Sequence, residues 1–401
     1  MSINTALIEW SFSVVERRAD QLSKYFYAHL FHHNPGVRHM FPEQMDEQQD
    51  RLFAALTTAA MNTADPEALV AYLRPLGFDH RKFDTRPEHY PAVGASLIAA
   101  LKVFAGDAWT QEVEEAWVAA YDLISQVMIA AAEEVPASTP RWWDAEVVHH
   151  ELRTDDIAVL TVRPHLPYPF EAGQHAALTV PEAPQVWRPY SIANAPRMDG
   201  TLEFHVRRIE RGRLSTSLVD RVRSGGSVRL GPATGSMTLP PDSGHGLLCV
   251  AGGTGWAPVK AIIEAAAALP RPGEVRLILG ARTEREVYDL DGLERLAKTY
   301  DWLDVTAALP PEGGEPEDAD AELLRQVGEY ARNRPGRQAC ISGPSGMVRA
   351  VEKQLGALGF DPDRVHRDAY IHRYGTDDPT SPTSPAEWFL SRRDIPWIHS
   401  R

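Results

Sequence analysis

The spacing of apolar residues changes twice along this chain, and those changes bound what each part can fold into. From Ile3 to about Glu134 the apolar residues keep helical spacing. Leu22, Phe26, Leu30 and Phe31 recur on one helix face, as do Leu97, Leu101 and Phe104. Asn34-Pro35, Asp65-Pro66 and Arg86-Pro87 read as helix stops. The run Val135-Pro-Ala-Ser-Thr-Pro140 reads as a linker. From Trp142 to about Pro241 the pattern becomes short β runs, at 158–162, 176–180 and 202–206, divided by Pro and Gly. That is the signature of a small antiparallel barrel. From Gly246 onward strands alternate with helices. Leu247–Ala251, Glu274–Gly280 and Gln338–Ile341 read as strands and Val259–Leu269 as a helix, which predicts a parallel α/β sheet. The expected organisation is multidomain: all-α at 1–135, an antiparallel β-barrel at 141–241, an α/β parallel-sheet domain at 245–372 and a tail at 373–401.

Composition narrows the partners. With 43% hydrophobic and 24% charged residues, each domain has enough apolar side chains for its own core. A formal net charge of −14 argues against a nucleic-acid backbone or an anionic membrane as main partner, because both demand basic patches. No apolar run suggests a membrane span, and the acidic amphipathic start from Met1 to Asp20 does not resemble a signal peptide. The two cysteines, Cys249 and Cys340, exclude a disulfide framework or a CxxC metal knuckle. The cytoplasm is the expected compartment, with no protein partner implied.

Within the helical domain one constellation bears chemistry. Tyr27 sits in an early helix, Phe41 follows a break, Gln48 and Leu52 lie one turn apart, and His80 stands in Gly77-Phe-Asp-His-Arg-Lys-Phe83, ahead of Tyr90. A haem iron needs one neutral nitrogen ligand on one face and, for bound oxygen, a hydroxyl or amide donor on the other. The run Phe26-Tyr27-Ala-His-Leu-Phe31-His-His-Asn34-Pro35 with Met40-Phe41, and the spacing from Tyr27 through Gln48 and His80 to Tyr90, resemble the globin domain of flavohemoglobins. The resemblance implies that His80 is the proximal ligand to haem b and that Tyr27 and Gln48 are distal donors. It also implies that Phe41 packs on the haem with Leu52 beside it, and that Tyr90 braces the proximal side. Flavohemoglobins carry a glutamate late in the last globin helix that polarises the proximal histidine. Here the matching position is Ala132, and Glu133 follows it. The expectation is that a local helix irregularity lets Glu133 recover the contact with His80.

The barrel holds Arg188-Pro-Tyr190-Ser191. A flavin needs a flat aromatic against its ring, a hydrogen-bond partner near its reactive nitrogen and a cation on its pyrophosphate. A strand sends residues i and i+2 the same way, so Tyr, Ser and Arg in this run supply all three. The motif resembles the RxYS flavin motif of the ferredoxin-reductase superfamily. Downstream, Gly212-Arg-Leu-Ser215-Thr216 leads into a helix whose amides suit the FAD phosphates. Gly252-Gly253-Thr254-Gly255 lies between a strand and a helix, where glycines admit a pyrophosphate. Ser342-Gly343-Pro344-Ser345-Gly346 resembles the second nicotinamide motif of these reductases, with Ser342 where most relatives have cysteine. Tyr370 matches the position of the aromatic that flavohemoglobins set against the flavin; relatives end soon after it, and the tail here does not. Arg282 and Arg285 read either as a grip on a 2′-phosphate, favouring NADPH, or as solvated surface. Similar segments in NADH-using relatives favour NADH.

The resemblance implies an enzyme with haem b, FAD and NADH (or NADPH) that converts nitric oxide and O2 to nitrate. Two alternatives stand beside it. One is a haem reductase acting on peroxide or another nitrogen species. The other is a haem-based gas sensor with weak reductase activity.

Overall fold

The structure, a computed structural model, describes residues 4–370 except 63, 64, 137, 241–243, 245, 312, 316, 317, 333 and 335, and omits the side chains of Glu47, Ala369 and Tyr370. It divides into two compact units, one ending at Arg141 and one beginning at Trp142.

The first unit is helical among the described residues: α1 (Thr5–Val15), α2 (Ala19–His33), α3 (Asp46–Met61), α4 (Pro66–His80), α5 (Tyr90–Ala105) and α6 (Gln111–Glu133). Local chemistry sets several ends. The Asn4, Asp65 and Thr110 side chains cap α1, α4 and α6 by accepting from Leu7, Ala68 and Val113 amides at 3.3, 3.0 and 3.3 Å. Asp65-Pro66 is therefore a helix start rather than a stop, because proline at the first helical position lacks only an amide that would be unpaired anyway. Phe12, Phe26, Leu22, Leu30, Phe53, Leu101 and Trp117 form the main core. A second cluster joins Leu69, Leu73 and Tyr72 of α4 to Met128 of α6. The run Pro87–Ala108 is long and apolar enough, by composition alone, to cross a membrane. Its Leu97, Ala100 and Leu101 are core residues of this unit, which accounts for that apolarity.

The second unit opens with β1 (Trp143–Leu152), β2 (Ile157–Pro164), β3 (His175–Thr179), β4 (Arg188–Ser191) and β5 (Leu202–Arg207), then the short α7 (Arg213–Thr216) and β6 (Ser227–Thr234). They form one antiparallel sheet in the order β4-β3-β6-β1-β2-β5. A bridge from Ile192 to Phe204 draws its two edges together, so the sheet nearly closes as a barrel. The chain continues through β7 (Leu247–Gly252), α8 (Trp256–Ala266), β8 (Val275–Gly280), α9 (Leu290–Thr299), β9 (Leu303–Ala308), α10 (Asp318–Ala331), β10 (Gln338–Pro344), α11 (Ser345–Ala357) and β11 (Val365–Tyr370). These five strands are all parallel, in the order β11-β10-β7-β8-β9. Every residue of β7 is buried, as a central strand covered on both faces requires.

Candidate functional site

His80 is the last residue of α4. Its Nδ1 lies 2.6 Å from the Leu76 carbonyl oxygen one turn back. A carbonyl only accepts, so Nδ1 carries the proton and the lone pair sits on Nε2. Burial lowers the His80 pKa, against smaller opposing effects of the Leu76 carbonyl and Asp79, which keeps the ring neutral at neutral pH. A neutral imidazole with its second nitrogen hydrogen-bonded is what a haem iron takes, so the residue fits the group. The partner on Nδ1 corrects the expectation for Glu133. That side chain is exposed at the end of α6, Ala132 is half-buried, and the neighbouring Glu134 pairs with Arg74 instead. The regular helix through Glu133 turns the carboxylate away, and a backbone carbonyl serves in its place.

Tyr27 is buried on α2, and its hydroxyl donates to the Gln48 backbone oxygen of α3 at 3.2 Å. Phe41 meets the Tyr27 ring edge-on at 5.6 Å, Phe31 lies 5.8 Å away, and Leu52 packs on the same cluster. Burial pushes the Tyr27 hydroxyl well above its ordinary pKa, against smaller pulls from Gln48 and Arg51. Tyr90 packs on the α4–α6 cluster that carries Leu76, and burial pushes its pKa up to about 12. The Tyr121 hydroxyl donates to the Tyr90 carbonyl at 2.7 Å and fixes the start of α5.

In the second unit Arg188 and Tyr190 stand on one face of the edge strand β4, paired with Leu178 and Ala176 of β3. Ser191 is the next residue and takes the other face, so the three do not align as the sequence reading had them. Its hydroxyl donates to the Asp368 carboxylate of β11 at 3.2 Å. Asp368 is in turn the register partner of Ser342 on β10. Asp368 thus links Ser191 of the antiparallel sheet by a hydrogen bond to the β10 strand beside it in the parallel sheet. Asp368 was missed in the sequence, where nothing but its place two residues before Tyr370 marks it. The Tyr370 side chain and the 373–401 tail lie outside the described residues. Ser215 is buried in α7 with its hydroxyl committed to the preceding turn: it accepts from the Ile209 amide at 3.1 Å and donates to the Gly212 carbonyl at 3.2 Å. It shapes that turn rather than presenting a hydroxyl to a phosphate.

Gly253, Thr254 and Gly255 form the turn between β7 and α8. Gly253 has φ +52°, which favours glycine. A Cβ on Gly255 would stand 2.2 Å from the Ser342 carbonyl oxygen, so the turn lies directly on the β10 loop that carries Gly343 and Pro344. Two glycine turns at the carboxyl ends of adjacent parallel strands, with a helix starting at one of them, form a crevice that suits a pyrophosphate. Beside it a hollow is lined by Gly253, Trp256, Gly280, Glu286, Tyr288 and Asp289. Arg282 and Arg285 are exposed, and the Arg282 amide donates to the Glu286 carboxylate at 2.9 Å. Glu286 and Asp289, not either arginine, are the charged side chains that line this hollow, and Asp289 already accepts from the Trp256 indole at 2.8 Å.

Three family models match the chain: Globin over residues 24–128, the oxidoreductase FAD-binding domain over 144–238 and the oxidoreductase NAD-binding domain over 249–353. The chain is 26% identical over 404 residues to a flavohemoprotein of Chromobacterium violaceum, covering 93% of this chain and 98% of that one. Over 245 residues it is 32% identical to the ferredoxin–NAD(P)(+) reductase component of the naphthalene 1,2-dioxygenase system of Pseudomonas putida, covering 61% of this chain and 74% of that protein. Among solved structures, a flavohemoglobin from Malassezia yamatoensis with bound FAD and heme aligns with a TM-score of 0.73 at 18% identity, covering 93% of this chain and 99% of that one. At that identity the likeness is one of fold.

Proposed function

Because the chain belongs to the flavohemoprotein family, a globin joined to FAD- and NAD-binding oxidoreductase domains, we propose that this oxidoreductase uses NADH and O2 to convert nitric oxide to nitrate. FAD, held in the barrel, would supply exchange between hydride and single-electron transfer, and haem, held by His80, would supply the oxygen chemistry. The chain's own residues orient and shield. His80 offers Nε2 because Leu76 holds the proton on Nδ1. The observation that carries the reading is the buried Tyr27 hydroxyl beside the Phe31 and Phe41 rings, a neutral donor in apolar surroundings. Arg188 suits the FAD pyrophosphate and Tyr190 the flavin face, while Ser191 and Asp368 can hold a proton where the nicotinamide would lie. Glu286 supports NADH over NADPH: a carboxylate accepts from a ribose 2′-hydroxyl and repels a 2′-phosphate. The test is stoichiometric. Nitric oxide should disappear with matched loss of NADH and O2, and NADH added under air should change the flavin and haem absorption together. Slow NADH turnover with a stable oxygenated spectrum would instead mark a gas sensor.

The carbonyl partner of His80 favours a second reading, a haem reductase acting on peroxide or another nitrogen species. A carbonyl draws the Nδ1 proton less strongly than a carboxylate, so His80 donates less electron density. Ala132→Glu should raise the iron–histidine stretching frequency and nitric oxide turnover together. Turnover that is already fast in the native protein and indifferent to this change would remove the second reading.

A further inference from the structure

The second unit buries a set of charges that neither the flavin motif nor the glycine turns account for. Lys260, in the second turn of α8, is 8% exposed. Its ammonium donates to the Ala193 carbonyl at 3.1 Å and to Glu264 Oε1 at 2.7 Å, and stands 3.0 Å from Glu203 Oε1. All of its protons are therefore engaged. The other Glu264 oxygen accepts from the Ala195 amide at 3.1 Å. Lys260 and Glu264, one turn apart, thus clamp residues 193–195, which follow directly on Ser191 of the flavin strand. From Glu203 the chain runs on. His205 is buried on the same face of β5, with Nε2 3.0 Å from Glu203 Oε1 and Nδ1 2.6 Å from the Tyr288 hydroxyl. A carboxylate accepts, so Nε2 carries the proton and Tyr288 donates to Nδ1. Burial pushes the Glu203 carboxyl up, but the His205 hydrogen bond and the Lys260 charge outweigh it and hold it well below the usual carboxylate range. Tyr288 lines the hollow beside Gly253.

We propose that Lys260 is a positioning residue for the dinucleotide: it fixes the helix that starts at the glycine turn against the flavin strand and, through Glu203, His205 and Tyr288, sets the wall of the adenosine side of the site. This rests on the reading of the glycine crevice as the NADH site. The physical need is distance. Hydride transfer demands near contact between two rings carried by two different sheets, and a misplacement of about 1 Å can cost on the order of a hundredfold in rate. A surface ion pair would not hold such a distance, because solvent screens it. A buried chain with every donor engaged loses its registry when one member is removed. Lys260 at the helix and Tyr288 at the pocket wall are two ends of that chain.

The test uses the FAD-loaded full-length protein and ADP-ribose, a probe without the nicotinamide ring. Lys260→Met keeps the length of the side chain and removes the charge; Tyr288→Phe keeps the ring and removes the hydroxyl. Lys260→Met is expected to weaken ADP-ribose binding roughly tenfold and Tyr288→Phe roughly threefold, with FAD content unchanged. The double variant is expected to bind no more weakly than Lys260→Met alone, because both changes cut one chain. Additive losses, or single variants that bind as the native protein does while only their thermal midpoints fall, would overturn the proposal and leave Lys260 a structural residue. If Lys260→Met does not fold, Glu264→Gln takes its place in the cycle. Native protein that binds no ADP-ribose would refute the crevice reading itself, an outcome distinct from the other two.

Discussion

At the scale of single residues, burial fixes the protonation of the proposed distal donor, Tyr27. Desolvation raises its pKa, so it remains a neutral donor wherever the globin unit is folded. A hydrogen bond to a charged or strongly polarised acceptor contributes roughly 1.5–3 kcal/mol, so Tyr27→Phe should speed oxygen release by about ten- to a hundredfold. Because the hydroxyl stays protonated, the same ratio is expected from roughly pH 6 to roughly pH 9. A ratio that collapses toward the alkaline end, in stopped-flow oxygen release, would show that the Tyr27 hydroxyl loses its proton in that range and is not held neutral by burial. Glu286 yields a second residue-scale expectation. Glu286→Gln removes the charge proposed to face the ribose, so the proposed preference for NADH over NADPH in flavin reduction should fall by on the order of tenfold. An unchanged preference would return the selectivity question to Arg282 and Arg285. These residues also mark what could be read in advance. Tyr27, Gln48 and His80 are singled out by the flavohemoglobin resemblance; by residue type alone each reads equally as core or surface. Glu286, Asp368 and Lys260 are not singled out. Each acquires its meaning from a neighbour on another strand or helix, and a lone acid in a loop or a lone lysine in an apolar helix has no local signature.

At the scale of elements, α4 carries the candidate haem ligand, and it packs on α6. A Cβ on Gly77 would stand 2.3 Å from the Met128 backbone oxygen, so the two helices touch backbone to side-chain-free backbone three residues before His80. Gly77→Ala would force them apart. Overpacking of this kind costs roughly 1–3 kcal/mol, and here the displaced element holds the candidate haem ligand. The expected result is a lower thermal midpoint together with faster haem transfer to an apo-globin acceptor. A lower midpoint with unaltered haem transfer would mean that α4 can shift without moving His80. The sequence makes the element types plain wherever period is strong: the helical spacing of the first unit, the all-buried run of β7, the β–α alternation after it. It misleads at Asp65-Pro66, where the same dipeptide that ends one helix pattern begins the next, because aspartate is both a loop residue and a cap. At Glu133 the sequence does not mislead: angular position on an ideal helix already turns that side chain away, the expected contact with His80 follows from the family resemblance and needs a helix irregularity, and α6 runs on through Glu133.

At the scale of the whole molecule, the two units are independent in their cores. Among the described residues, the buried clusters around Phe53 and Met128 draw on residues before Arg141, and those around Phe204, Cys249 and Ile341 on residues after Trp142. The proline-containing run Val135–Pro140 that joins them is where the sequence already signals a break. A chain built this way gains from fusion mainly through concentration: a tether holds two redox partners at an effective concentration on the order of millimolar, where free fragments in a dilute assay meet at micromolar levels. Cutting between Arg141 and Trp142 should therefore leave both chemistries intact and separate them. The fragment from Trp142 to Arg401 should hold FAD and reduce ferricyanide with NADH at close to the full-length rate. The fragment from Met1 to Arg141 should hold haem and should not be reduced by NADH. Mixed together, they should pass electrons to the haem at a rate that rises with fragment concentration, whereas the rate in the intact chain should not depend on protein concentration. If the second fragment loses FAD, or if the mixture matches the intact chain even when dilute, the units are not the independent bodies their cores describe.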